Sequence, residues 1–132
     1  MIRTLIAFIL AAVFTFSAAA QDWYRDREAR FRGDRGRNQI FLQVREDLDH
    51  IWSARRASDR ERTRLDRTKE ELTELQAKFD HREWDNGTVN DVIDSLRKSA
   101  NDDRLSPRDR QVLADDANRI HDFQAIRNHR HR

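Results

Sequence analysis

The sequence predicts an all-α fold: a small bundle of three or four helices behind a signal peptide and a disordered Arg-rich arm. Two observations lead there. From Ile40 onward, apolar residues recur at spacings of three and four, the period of a helix that buries one face. Helix-starting signals stand at Ser58, Thr88 and Ser106, and no run of alternating apolar and polar residues offers a strand.

Residues 1–20 read as a signal peptide: Arg3 gives the positive start, Leu5 to Phe16 is apolar except for Thr15, and Ala18 and Ala20 are the small residues a signal peptidase inspects. Cleavage is expected before Gln21, which places the mature chain in the periplasm or outside the cell. The other reading is an uncleaved anchor, since Thr4 to Ala20 approaches the minimum length that crosses a bilayer. Residues 21–38, QDWYRDREARFRGDRGRN, lack a sustained period and carry Gly33 and Gly36, so a disordered arm is expected.

The helical domain is expected at 39–126. Phe41, Val44, Leu48 and Ile51 line a first helix that should end near Ala57, with Trp52 widening the stripe. Ser58 followed by Glu61 is a capping box, and Leu65, Leu72, Leu75 and Phe79 line the next helix. Ile51 and Leu65 stand in heptad register, so one long helix of coiled-coil character is the alternative. Asn86-Gly87 reads as a turn, with Thr88 as cap of a short helix carrying Val89, Val92, Ile93 and Leu96. Ser106-Pro107 restarts the chain, with Asp109 at the third helical position and Val112, Leu113, Ala117, Ile120 and Phe123 along the inner face. Leu48, Ile51, Leu72, Leu96, Leu113 and Ile120 should share one core, and Trp52 and Trp84 should be packing anchors. Residues 127–132 read as a basic tail.

Composition narrows the function. The chain has 132 residues, of which 38% are charged, but its net charge is only +2. That balance opposes a globally cationic nucleic-acid binder. Complementary charges at i,i+4, such as Arg67/Glu71 and Glu74/Lys78, account for much of the charge as solvated helix surface. Cysteine is absent, which excludes disulfides and thiolate metal sites. Glu46 and His50 share a helix face but supply too few ligands for a metal centre, and no nucleophile elbow or phosphate-binding glycine loop is present. The expectation is a non-enzyme with neither metal nor cofactor.

Two interaction sites remain as candidates. In the arm, Arg25, Arg27, Arg30, Arg32, Arg35 and Arg37 are interleaved with Trp23, Tyr24 and Phe31, a pattern that can grip an anionic lipid or glycan surface or another polyanion. In the body, Leu72-Thr73-Glu74-Leu75-Gln76 reads L-T-x-x-Q and resembles the motif of the periplasmic stress adaptor and chaperone family that carries paired LTxxQ motifs. The resemblance implies a helical, usually dimeric cradle for unfolded protein clients or an envelope partner, with Leu72, Thr73 and Gln76 as its motif residues and a second copy of the chain as a further partner. A second motif would start at Leu105-Ser106, where Asp109 stands in place of Gln. Leu105 to Leu113 also resembles the opening of a helix-turn-helix domain. Beyond it Asp115 and Asp116 face where phosphates would lie and no recognition helix follows, so specific DNA binding is not expected. The layout is similar to that of uncharacterised bacterial exported proteins.

Overall fold

The computed structural model describes residues 23–27, 29, 39–54 and 57–130, which fall in two compact units divided at residues 35 and 36. The signal-peptide segment, Arg30, Arg32, Arg35 and Arg37 lie outside the described residues. In the first unit, residues 23–27 are helical, and the Trp23 and Tyr24 rings meet edge to face at 4.9 Å. The expectation of disorder is corrected over this stretch. Its charges alternate without an amphipathic period, but Arg25, Arg27 and Ala29 are good helix formers, and glycine first appears at position 33.

The second unit is a four-helix bundle: α1 (Gln39–Trp52), α2 (Asp59–Asp80), α3 (Asn86–Ala100) and α4 (Pro107–Arg130). Helix α1 packs on α2 and α4, and α3 packs on the same two, so the four close a ring around one core. No strand occurs among the described residues. All six residues expected in the core are fully buried there, joined by Phe41, Val44, Leu65, Leu75, Val89 and Val92.

The α1–α2 boundary settles the two readings of that region. Helix α1 stops at Trp52, five residues before the expected end. Ser53 closes it: its amide and hydroxyl both donate to the Asp49 carbonyl, at 3.0 and 2.8 Å, a side-chain bond that competes with further helix. Ser58 then takes an extended backbone with ψ 169°, and its amide donates to Glu61 Oε2 at 2.8 Å in the expected capping box. The Ser58 geometry is incompatible with one continuous helix. Glu61 is 2% exposed, and Arg104 lies 3.6 Å from its other oxygen.

Helix α2 ends in a Schellman turn. Glu83 N donates to Lys78 O at 2.8 Å, Arg82 N donates to Phe79 O at 3.0 Å, and Arg82 takes the left-handed conformation (φ 61°) that glycine usually supplies. The next start differs from expectation. Asp85, not Thr88, caps α3: its Oδ1 accepts from Gly87 N at 2.9 Å and Thr88 N at 3.4 Å. Asn86-Gly87 therefore forms the first turn of a helix rather than the connection before it. A carboxylate is the stronger acceptor at a helix N-terminus, so Asp85 takes the cap and Thr88 falls inside. Ser106 caps α4 as expected, accepting from Asp109 N at 3.1 Å. Helix α4 continues through Arg127 to Arg130 into the expected basic tail. Arg127 holds it there, its guanidinium 4.7 Å from the Trp84 ring centre and 5.2 Å from that of Phe79.

Candidate functional site: a groove between α1 and α2

Helix α1 has a leucine on the wrong side. Phe41 points into the core at 1% exposure, where its ring meets Phe79 at 5.5 Å and Phe123 at 5.6 Å. Leu42, the next residue, turns outward and is 53% exposed. Beside it lies a groove of about 250 Å³ lined by Phe41, Leu42, Arg45, Leu72, Gln76 and Asp80. Phe41 and fully buried Leu72 are its apolar lining, and polar side chains complete it.

Those polar side chains are held in place. The Arg45 guanidinium donates to Lys69 O at 3.3 Å and to Thr73 Oγ1, while Thr73 Oγ1 donates to Lys69 O at 2.8 Å. Gln76 Nε2 donates to Asp80 Oδ1 at 2.8 Å. The L-T-x-x-Q residues thus divide: Leu72 packs in the core and also borders the groove, Thr73 ties α2 to α1 through Arg45, and Gln76 lines the groove from its polar side. Phe41, Leu42, Arg45 and Asp80 were not among the expected site residues. Their signal in the sequence is Leu42 itself, a large apolar residue off the stripe made by Phe41, Val44, Leu48 and Ile51. The Leu105-Ser106 segment serves as the start of α4, with Leu105 and Asp109 both buried.

Other clusters are occupied by their own partners. A larger cleft of about 550 Å³ between α2 and α3 carries Arg64, Arg67, Glu71, Asp94, Ser95 and Lys98. Arg67 lies 3.4 Å from Glu71, Ser95 Oγ donates to Glu71, and Arg64 reaches Asp102 at 3.0 Å. Its charges are mixed and largely answer one another. Trp84 is the anchor expected of it, with Phe79 and Phe123 at 6.4 and 5.8 Å and its indole N–H donating to Asn86 at 3.0 Å. Trp52 is not an anchor. It is 36% exposed, with the Arg62 and Lys69 cations each 5.2 Å from its ring centre, because it lies on the last turn of α1 beyond the buried stripe.

Of the arm residues, Arg25 is exposed and Arg27 is 3% exposed. Burial lowers the His50 imidazole from its ordinary value, against the opposing pull of Asp109 and Asp47. Among the described residues no three His, Cys, Asp or Glu side chains gather as a metal site, and no helix is long and apolar enough to cross a membrane.

One ion-pair cluster has a marked titration. The Lys78 ammonium lies 2.8 Å from Asp85 Oδ2 and also donates to Thr88 Oγ1, and Glu74 lies 3.2 Å from it. Hydrogen bonds from Lys78 first, then from the Thr88 hydroxyl and amide, hold the Asp85 carboxyl down at about 2. Bonds to Asp85 and Glu74 raise Lys78 in return. The signs follow from linkage. The Asp85 contribution is full above the ordinary carboxylate range and is lost as pH falls through about 2. The Lys78 contribution is full below the ordinary lysine range and is lost as pH rises through its raised value. The cluster therefore holds across the neutral range. Replacing Lys78 by Ala should move the Asp85 midpoint up toward the ordinary carboxylate range, read by NMR of the side-chain carboxyl carbon. An unmoved midpoint would remove Lys78 as the main cause.

Comparison of the chain with protein-family models, with curated proteins and with solved structures finds no match.

Proposed function

We propose that this is an exported, non-catalytic helical protein that works by surface contact in the cell envelope, and that the α1–α2 groove is where it holds an apolar side chain of an unfolded client. The signal-like segment ending at Ala20 supports export, with cleavage before Gln21. The observation that carries the reading is the pairing of Leu42, 53% exposed, with a groove of about 250 Å³ lined by both apolar and polar side chains. Fully burying a leucine side chain stabilises by about 1.5–3 kcal/mol, and a bound apolar side chain covering Leu42, which is already about half covered, recovers part of that. The resemblance of Leu72 to Gln76 to the LTxxQ motif agrees with a chaperone-like role, and Gln76 lies in this groove.

The test is suppression of aggregation of a chemically unfolded client by the mature chain. Leu42→Glu should abolish it while the helical circular dichroism is retained. Ile126→Glu should leave it intact, because Ile126 is equally exposed, at 54%, but does not line the groove. Equal loss in both variants would replace the groove with diffuse apolar stickiness. The arm offers the competing reading. If replacing Arg25, Arg27, Arg30, Arg32, Arg35 and Arg37 by Gln removes the activity, and salt does the same, anionic-surface binding takes its place.

A further inference from the structure

Asn86-Gly87 is the chain's single Asn-Gly pair, and the fold places it where no turn is needed. Asn86 is the first residue of α3 and is exposed. Three donors converge on its side-chain oxygen: Trp84 Nε1 at 3.0 Å, Gln124 Nε2 at 3.1 Å and Asn128 Nδ2 at 3.3 Å. The indole N–H can only donate, so it fixes the carboxamide with oxygen toward α4 and nitrogen away. Gly87 carries no side chain to shield its amide, and a Cβ there would meet Asp85 Oδ1 at 3.1 Å. That same oxygen holds the Gly87 amide at 2.9 Å.

We propose that Asn86 is a site of spontaneous deamidation, gated by the Asp85 cap. In the reaction the Gly87 backbone nitrogen attacks Cγ of Asn86. The new N–Cγ bond closes a succinimide, the Cγ–Nδ2 bond breaks, and ammonia leaves with the proton Gly87 gives up. Water then opens the ring at either carbonyl, leaving aspartate or isoaspartate at 86. No oxidant or enzyme is needed. In the closed helix the reaction is held back twice. The Gly87 N–H is committed to Asp85, and the helical main chain of Asn86, with ψ of roughly −42°, keeps the Gly87 nitrogen off the carboxamide carbon. Opening of the first turn of α3 releases both restraints.

The surroundings of the side chain fit an aspartate product better than they fit asparagine. All three neighbours donate, and a carboxylate accepts such bonds more strongly than an amide oxygen. Position 86 is also at a helix N-terminus, where negative charge is favoured. Asp85 opposes this as a like-charged neighbour, but its own charge is taken up by Lys78. Isoaspartate differs, because it adds a methylene to the backbone between 86 and 87 and so displaces the Gly87 and Thr88 amides from the cap.

The experiment incubates the purified full-length chain in neutral buffer, with and without full denaturant, and maps peptides by mass spectrometry with aspartate and isoaspartate resolved. Conversion should concentrate at Asn86 over Asn90, Asn101, Asn118 and Asn128, and should run fastest in denaturant. Asp85→Ala should speed the native-state reaction about fivefold, the change in opening equilibrium expected for loss of a typical N-cap. Lys78→Ala, a surface change that leaves Asp85 in place but releases it from the ammonium, should give a smaller increase in the same direction. The Asn86→Asp variant should unfold at a midpoint no lower than the wild type, and a lower one would overturn the fit of aspartate to the three donors. Conversion at Asn86 no faster than at the other asparagines in denaturant would overturn the site. A native rate equal to the denatured rate, or unchanged in both Asp85→Ala and Lys78→Ala, would overturn the gate.

Discussion

Phe41→Ala should destabilise the helical unit by about 3–5 kcal/mol, the largest effect expected of any single truncation in the chain. Phe41 is 1% exposed and meets two further rings edge to face, Phe79 at 77° and Phe123 at 78°. Such ring pairs contribute beyond the area they bury. The three rings come from α1, α2 and α4, so removing the central one leaves a void where three helices meet. A loss of that size is a large fraction of the ~5–15 kcal/mol that stabilises a typical domain. Urea denaturation followed by circular dichroism measures it. A loss below about 1 kcal/mol, within the range of surface substitutions and mild repacking, would mean that this end of the bundle is not packed as described. The adjacent Leu42→Ala should cost far less, since Leu42 already stands in water.

The second large effect is expected at Leu72. Leu72→Ala should cost about 2–5 kcal/mol, because the side chain is fully buried. Gln76→Ala should be nearly neutral for stability, since it removes one exposed bond to Asp80. The pair separates the two jobs of the L-T-x-x-Q run. If Leu72 faced a client rather than the core, its truncation would change client binding with little change in the denaturation midpoint.

Much of the bundle was legible because it depends on local chemistry. The spacing of Phe41, Val44, Leu48 and Ile51 marks one buried face, and Ser58 with Glu61, and Ser106 with Pro107, mark helix starts that the backbone uses as written. The parts that were not legible depend on distant partners. Asp85 wins the α3 cap from Thr88 with the help of Lys78, seven residues earlier on another helix. Residues 127–130 belong to α4 because Arg127 meets aromatic rings from α2 and from the segment before α3. Trp52 looked like core by hydrophobicity alone, yet the last turn of α1 carries it out beside two cations.

The groove was half legible. The L-T-x-x-Q run marks Leu72, Thr73 and Gln76, and the structure gives these three different roles. Two of the three apolar residues of the site come from α1, where Leu42 is conspicuous only once Phe41 is known to be the inward neighbour. A single stripe of apolar spacing cannot distinguish a leucine that widens the core from one left on the surface. The distinction depends on how closely α2 approaches, and that is set by the cross-helix tie from Arg45 to Thr73 and Lys69.

The most direct test of the groove is an NMR titration of the isotope-labelled mature chain with a short, uncharged leucine-rich peptide. Amide and methyl shifts should concentrate at Leu42, Arg45, Leu72, Gln76 and Asp80 and should saturate, and Leu42→Glu should remove them while the spectrum of the core is kept. Shifts spread evenly over Trp52, Ile126 and the arm, or a response unchanged in Leu42→Glu, would contradict binding in the groove.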